Sequence, residues 1–359
     1  MARSNTSRRN RQTKPANQGE HCQDSTQDKN RPDSILAAID LGTNNCRMLI
    51  AHPKEQDFLV IDSFSRITRL GEGLSGSGCL SQAAMDRAIN ALQHCAQKMN
   101  HCGVTDSRHV ATEACRRANN CDDFVERVSK EVGIKLEIIS SDEEAGLALK
   151  GCKSLLNLDV PYAIIFDIGG GSTEVLFVKI NDPHDMTILG CISMPLGVVT
   201  VAEDCGGGDL CERTYEEVAV RVARMLYPFE QAHGISSRIK AGEAQMLGTS
   251  GTVTTLGGLH LGLKRYDRMV VDGITLDFET LSSHSHALCK MSMQERAAEP
   301  CIGWQRADLV LGGCAILEAI CRLWPVGQLR VADRGLREGM LIDILQTQAL
   351  QTPTQAVLS

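Results

Sequence analysis

Two Asp-x-Gly steps close apolar runs in this sequence, and they carry the residues most able to do chemistry. Leu36-Ala37-Ala38-Ile39 leads into Asp40-Leu41-Gly42-Thr43-Asn44-Asn45, and Ala163-Ile164-Ile165-Phe166 leads into Asp167-Ile168-Gly169-Gly170-Gly171-Ser172-Thr173-Glu174. Each reads as strand, turn and second strand. The run of three glycines allows φ > 0 and a close approach of main chain to ligand, so successive N–H groups can converge on an anion. A tight hairpin with a glycine-rich turn is the competing reading. The second copy, 127 residues away, favours a phosphate cradle. A third stretch, Leu247-Gly248-Thr249-Ser250-Gly251-Thr252 and on to Gly258, adds hydroxyl donors and N–H groups. Asp40, Asp167 and Glu174 are hard-oxygen ligands suited to Mg²⁺, directly or through water, with substrate oxygens completing the shell. Glu174 also reads as an exposed strand residue.

Glu144 has two readings. With Ser141 three residues before it, it has the form of a capping box, the glutamate reaching back to the helix N-terminus. At the junction of two strand-rich halves it would instead project into a cleft and orient or deprotonate an attacking water. No Ser-His-Asp or Cys-His arrangement is implied, which favours direct attack by water over a covalent intermediate. Positive charge for a polyanion has to be local, because the net charge is −7. Candidates are Arg66 and Arg69, Arg116 and Arg117, Lys264 and Arg265, and Arg330, Arg334 and Arg337. The same net charge disfavours generic nucleic-acid binding.

The elements that must position these residues fall into two halves. With 359 residues, 43% of them hydrophobic, the chain can bury the cores of two domains. Residues 1–33 are polar and nearly free of aliphatics and are expected to be a disordered tail. Residues 34–155 read as a first domain and 156–337 as a second, with a last helix, 338–350, packing back on the first. Residues 64–79 read as a loop carrying Arg66 over the cleft, and 113–120 as a polar turn carrying Arg116. A helix opens at Ser141, and an apolar helix spans Trp304 to Trp324 with Arg306 on its polar side. No apolar run reaches the ~18 residues needed to cross a bilayer, and the start has no signal-peptide core. Fifteen Cys without a CxxC pair or zinc spacing read as reduced thiols. A cytoplasmic location is expected, without membrane or nucleic-acid partners.

The segments AIDLGTNNCRMLIA, SRITRLGEGL, ATEACRRANN, LEIISSDEEAG, FDIGGGSTEV, GTSGTVTTL and VADRGLREGML, in that order along the chain, resemble the exopolyphosphatase / guanosine pentaphosphate phosphohydrolase (Ppx/GppA) family. The resemblance covers nearly everything after residue 33. It implies an α/β fold of two ribonuclease H-like domains, of the actin-like, sugar-kinase-like ATPase type, around a central cleft. It implies release of orthophosphate from the end of inorganic polyphosphate by metal-assisted attack of water. Guanosine pentaphosphate (pppGpp) 5′-phosphohydrolysis is the alternative within that class; a kinase or ATPase of the same fold and a non-catalytic alarmone sensor are further alternatives. Glu144 matches the family's proposed base and Arg116 its phosphate-contacting arginine, with Asp167 as the third catalytic residue. Gly42, Thr43, Asn44, Asn45, Gly169, Gly170, Gly171, Ser172, Gly248, Thr249, Ser250, Gly251, Thr252 and Arg66 are the expected phosphate contacts, and Asp40, Asp167 and Glu174 the metal ligands. Mg²⁺ is the expected cofactor, with a monovalent cation such as K⁺ as an addition, and a homodimer stays open. Arg47 stands where some members have His. The family's longer members carry further C-terminal helical domains; this sequence corresponds to the short two-domain form, so channels built by a dimer of such domains are not expected.

Overall fold

Leu36, Ala37, Ala38 and Ile39 are all fully buried, the pattern of a strand covered on both faces. Such strands need helices on either side, and the chain supplies them. The computed structural model describes residues 34–54, 57–182 and 185–351; the tail expected over residues 1–33 lies outside them. The first half runs β1 (Leu36–Leu41), β2 (Asn45–Lys54), β3 (Asp57–Ile67), α1 (Leu74–Ser77), α2 (Gln82–Cys102), β4 (Asp106–Ala111), α3 (Glu113–Arg117), α4 (Cys121–Val132), β5 (Glu137–Ile138) and α5 (Ser141–Cys152). The second runs β6 (Tyr162–Ile168), β7 (Thr173–Ile180), β8 (Met186–Met194), α6 (Val198–Asp204), α7 (Glu212–His233), α8 (Ile235–Lys240) and β9 (Ala244–Thr249). It continues through α9 (Gly251–His260), α10 (Arg268–Val271), β10 (Thr275–Asp277), α11 (Phe278–Lys290), α12 (Met293–Ala298), α13 (Val310–Leu323), β11 (Gln328–Ala332) and α14 (Leu336–Gln351).

The strands form two sheets, ordered β3-β2-β1-β4-β5 and β10-β11-β9-β6-β7-β8. In each, an antiparallel meander of three strands is extended by a parallel strand on the far side of its first member: β4 beside β1, and β9 beside β6. The repeat seen in the sequence is therefore a repeat of topology. It places Asp40 and Asp167 at equivalent positions, each near the C-terminal end of the first strand of its sheet. In open α/β sheets that is where ligands gather.

Helices α2 and α4 cover one face of the first sheet, through Leu92, Phe124 and Val128, and α14 covers the other through Met340 and Leu341. The second sheet packs against α7 and α13 on one face and α5 on the other. Helix α5 lies between the sheets: Leu147 joins the core under α14, while Ala145 and Leu149 join the core of the second sheet. Its contact with α14 is backbone-close. A methyl group on Gly339 would sit 2.0 Å from the Leu147 carbonyl oxygen, so glycine there is a requirement of space.

Four local readings change, the first being that residues 113–117 of the expected polar turn form helix α3. Residues 64–67 continue β3 instead of starting a loop, because their backbone pairs with residues 45–48 of β2. Residues 304–309 are turns, and the apolar helix begins at Val310. The cap of α5 is Ser140, whose hydroxyl accepts from Glu143 N–H at 3.1 Å, so no Ser141–Glu144 capping box forms.

Candidate active site

The cleft between the sheets has two joined lobes. An inner lobe of ≈ 130 Å³ is lined by the β1–β2 and β6–β7 turns, Glu113, Glu144 and the start of α9. A second lobe of ≈ 340 Å³, called the outer lobe, is lined by Arg268, Arg334 and Arg337. Asp40, Arg47, Asp167, Ser250, Gly251 and Arg306 line both and form the waist.

The two turns press directly on each other. A methyl on Gly170 would lie 3.1 Å from Asn44 N and from Thr43 Cβ, and one on Gly171 2.8 Å from Thr43 Oγ1. None of Gly42, Gly169, Gly170 and Gly171 has positive φ. At Gly169, Gly170 and Gly171, close approach, and not left-handed backbone, is what demands glycine. The carbonyls of both turns are engaged with neighbours: Thr43 and Asn44 accept from Gly71, Thr68 and Arg69 N–H, and Gly169 and Gly170 accept from Val198 and Val199 N–H. The side-chain oxygens of Asn44 and Asn45 are buried without a partner among the described residues. The third stretch is a sharp strand-to-helix junction with Ser250 at φ 119, a strained value for a side-chain-bearing residue. It points the N-terminus of the ten-residue α9 at the cleft, a favourable setting for an anion.

Of the residues expected at the site, Asp40, Gly42, Thr43, Asn44, Asn45, Glu144, Asp167, Gly169, Gly170, Gly171, Ser172, Glu174, Ser250, Gly251 and Thr252 line the inner lobe, and Thr249 the outer. Gly248 does not reach it; it packs on the Phe166 ring. Arg66 is not brought there either. As a β3 residue paired with Cys46, it faces α2, hydrogen-bonds Asn90 Oδ1 at 2.6 Å and lies over Phe64. Arg116 sits one layer behind the cavity wall. Its Nη1 donates to Glu144 Oε2 at 2.8 Å and to the Ile139 carbonyl at 3.0 Å, while Nε and Nη2 donate to Glu113 Oε2 at 3.2 and 3.0 Å.

Sequence reasoning passed over three charged residues that line the inner lobe. Glu113 was read as part of a turn. Arg47 faces Asp40 directly across the β1–β2 ladder, just as Glu174 faces Asp167 across β6–β7; the shared spacing of seven residues was the signal available. Arg306 reaches the cleft from the turns before α13. Among the described residues, Arg47, Arg306 and Arg337 form no ion pair. Burial, and after it the charge of Arg47, pulls the Arg306 pKa down; burial does the same to Arg337, against the opposing charge of Glu338 and with Arg47 adding to the effect. Like charges held close together, with no carboxylate in ion-pair contact among the described residues, favour an anion between them.

Carboxylates crowd the other wall. Burial, then the charge of Glu174, pushes Asp167 up to about 7. Burial also raises Asp40, Glu174 and, strongly, Glu144, the last with a further contribution from Glu174. Ser193 Oγ donates to Glu174 Oε1 at 2.7 Å. This donor set is all oxygen and raised in pKa, which suits a hard divalent cation. Among the described residues, however, no three such side chains converge as a ready ligand cage. The fit is to an ion held by one or two carboxylates with water and substrate oxygens, the manner of Mg²⁺.

Fold and cleft together define an α/β protein of two mixed sheets that share one cleft. The sequence model of the Ppx/GppA phosphatase family matches residues 49–348, and the chain belongs to that family; it is a hydrolase. It is 27% identical to exopolyphosphatase 2 of Mycobacterium tuberculosis over 322 residues, covering 86% of this chain and 98% of that one. A putative exopolyphosphatase of Haemophilus influenzae is 26% identical over 315 residues, 86% of this chain and 91% of its own length. The crystal structure of the Aquifex aeolicus Ppx/GppA family member superposes with a TM-score of 0.71 at 27% identity, covering 88% of this chain and 99% of that one. Among the described residues no helix is long and apolar enough to cross a membrane.

Proposed function

We propose that the protein removes the terminal phosphate of inorganic polyphosphate by attack of water, with residues 34–155 and 156–337 as the two domains that enclose the substrate. The observation that carries this is the pairing, in one cleft, of a buried carboxylate, Glu144, with three guanidinium groups that form no ion pair among the described residues, Arg47, Arg306 and Arg337. The terminal phosphate lies in the inner lobe against the two turns and the start of α9; the rest of the chain leaves past the arginines of the outer lobe. Glu144, oriented by Arg116, accepts a proton from the attacking water at its carboxylate. Its raised pKa makes it a better base than an exposed glutamate. Asp40 and Asp167 would hold the divalent cation, Mg²⁺ being the expected one, which supplies neutralisation of phosphate oxygens when bound. Arg47 and Arg306 take up charge on the phosphates at the waist, where guanidinium geometry suits them.

One feature favours a nucleotide substrate such as pppGpp: Val198, Ile302, Leu309 and Val310 give the inner lobe an apolar wall. The relatives named as exopolyphosphatases favour polyphosphate. Release of orthophosphate from polyphosphate and from pppGpp, measured side by side with and without Mg²⁺, separates the readings.

A further inference from the structure

Glu113 opens the five-residue helix α3, and its side chain is only 13% exposed although it lines the inner lobe. One of its oxygens, Oε2, receives both Nε and Nη2 of Arg116, and the other lies 4.0 Å from Arg117 Nε. Across the cleft its Cγ is a neighbour of the Gly171 turn, 3.3 Å from where a Cβ on Gly171 would stand. Arg116 thus has one edge of its planar fork fixed by Glu113, and the opposite nitrogen, Nη1, is delivered to Glu144 Oε2 and the Ile139 carbonyl. A guanidinium held at one edge has little rotational freedom left at the other. The three side chains form a relay across two elements, from α3 to the first turn of α5.

We infer that Glu113 is a positioning residue for the reaction: it locks Arg116 so that Arg116 holds the Glu144 carboxylate in the orientation needed to act on water. This rests on Glu144 as the base. Glu113 touches neither reacting atom in this account. It acts through Arg116 alone, so its contribution should vanish when Arg116 is gone. It should also appear in turnover and not in substrate affinity, because the phosphate contacts proposed above lie on the turns, α9, Arg47 and Arg306.

The test is a double-mutant cycle with Glu113→Gln, which keeps the shape and removes the charge, Arg116→Ala, and the double variant, assayed for orthophosphate release from polyphosphate. The expected result is a fall in kcat of about tenfold for Glu113→Gln with KM within about twofold, and no further fall when Glu113→Gln is added to Arg116→Ala. Equal losses from Glu113→Gln in both backgrounds would overturn the inference. So would a lowered KM at unchanged kcat, which would make Glu113 a competitor for Arg116 instead. A crystal structure of Glu113→Gln supplies a readout independent of turnover: Arg116 should leave Glu144, and its retention at the 2.8 Å seen here would contradict the relay. If the wild type releases no phosphate from any substrate, the proposed function fails, and the crystal structure still decides the relay.

Discussion

Asp167 and Glu174 stand directly opposite each other across the β6–β7 ladder, and burial together with the Glu174 charge holds the Asp167 carboxyl up at about 7. At the equivalent position of the first sheet Asp40 faces Arg47, an opposite charge. The two hairpins repeat in shape and differ in sign, so Arg47 partly offsets what burial does to Asp40, while Glu174 adds to what burial does to Asp167.

The sign of the pH effect follows. A carboxyl raised on folding binds more protons in the native state, so its contribution to stability is present at low pH and is lost as pH rises from the ordinary carboxylate range through about 7. In metal-free buffer Asp167→Asn should flatten that part of the Tm-versus-pH curve and raise Tm at pH ~8. Added Mg²⁺ should stabilise the wild type and stabilise Asp167→Asn less. An unchanged slope and an unchanged response to Mg²⁺ would count against Asp167 as a cation ligand.

Glu144→Gln should keep substrate binding and lose about 10²-fold in kcat, the loss expected when a general base is removed. Retention of more than about a tenth of wild-type turnover would assign the base elsewhere.

How much of this was legible in the sequence depended on whether local spacing decided it. The Asp-x-Gly steps placed Asp40 and Asp167 because an apolar run followed by a turn has few alternatives. Glu144 was harder: moving the cap from Ser141 to Ser140 frees its side chain, and one residue along a helix is about 100° of rotation. Arg66 failed for the matching reason in a strand, where consecutive residues face opposite sides. Arg306 depends on turns fixed by tertiary packing. The partnership of Glu113 with Arg116 is local, at i and i+3, yet spacing alone gives no sign that the pair also reaches Glu144, 28 residues further on.

Arg47 and Arg306 should show their role through anions. Arg306→Ala removes a charge held near Arg47, so Tm in low-salt, phosphate-free buffer should stay level or rise, whereas Arg47→Ala also takes the opposite charge from Asp40 and Asp167 and should gain less or lose. The KM for polyphosphate should rise about tenfold, the scale of one lost charge-assisted hydrogen bond. Thermal stabilisation of the wild type by added orthophosphate should shrink in both variants. A fall in Tm with unchanged KM would make these arginines structural.

The central claim, that this cleft takes a terminal phosphate from a polyphosphate chain by attack of water, is tested most directly by orthophosphate release from long-chain polyphosphate and from pppGpp under identical conditions, in H₂¹⁸O with Mg²⁺ present. Release from polyphosphate at the higher kcat/KM, one ¹⁸O in each orthophosphate released, and loss of that release in Glu144→Gln are the expected results. Release from pppGpp alone, or release from polyphosphate that survives Glu144→Gln, would contradict that claim.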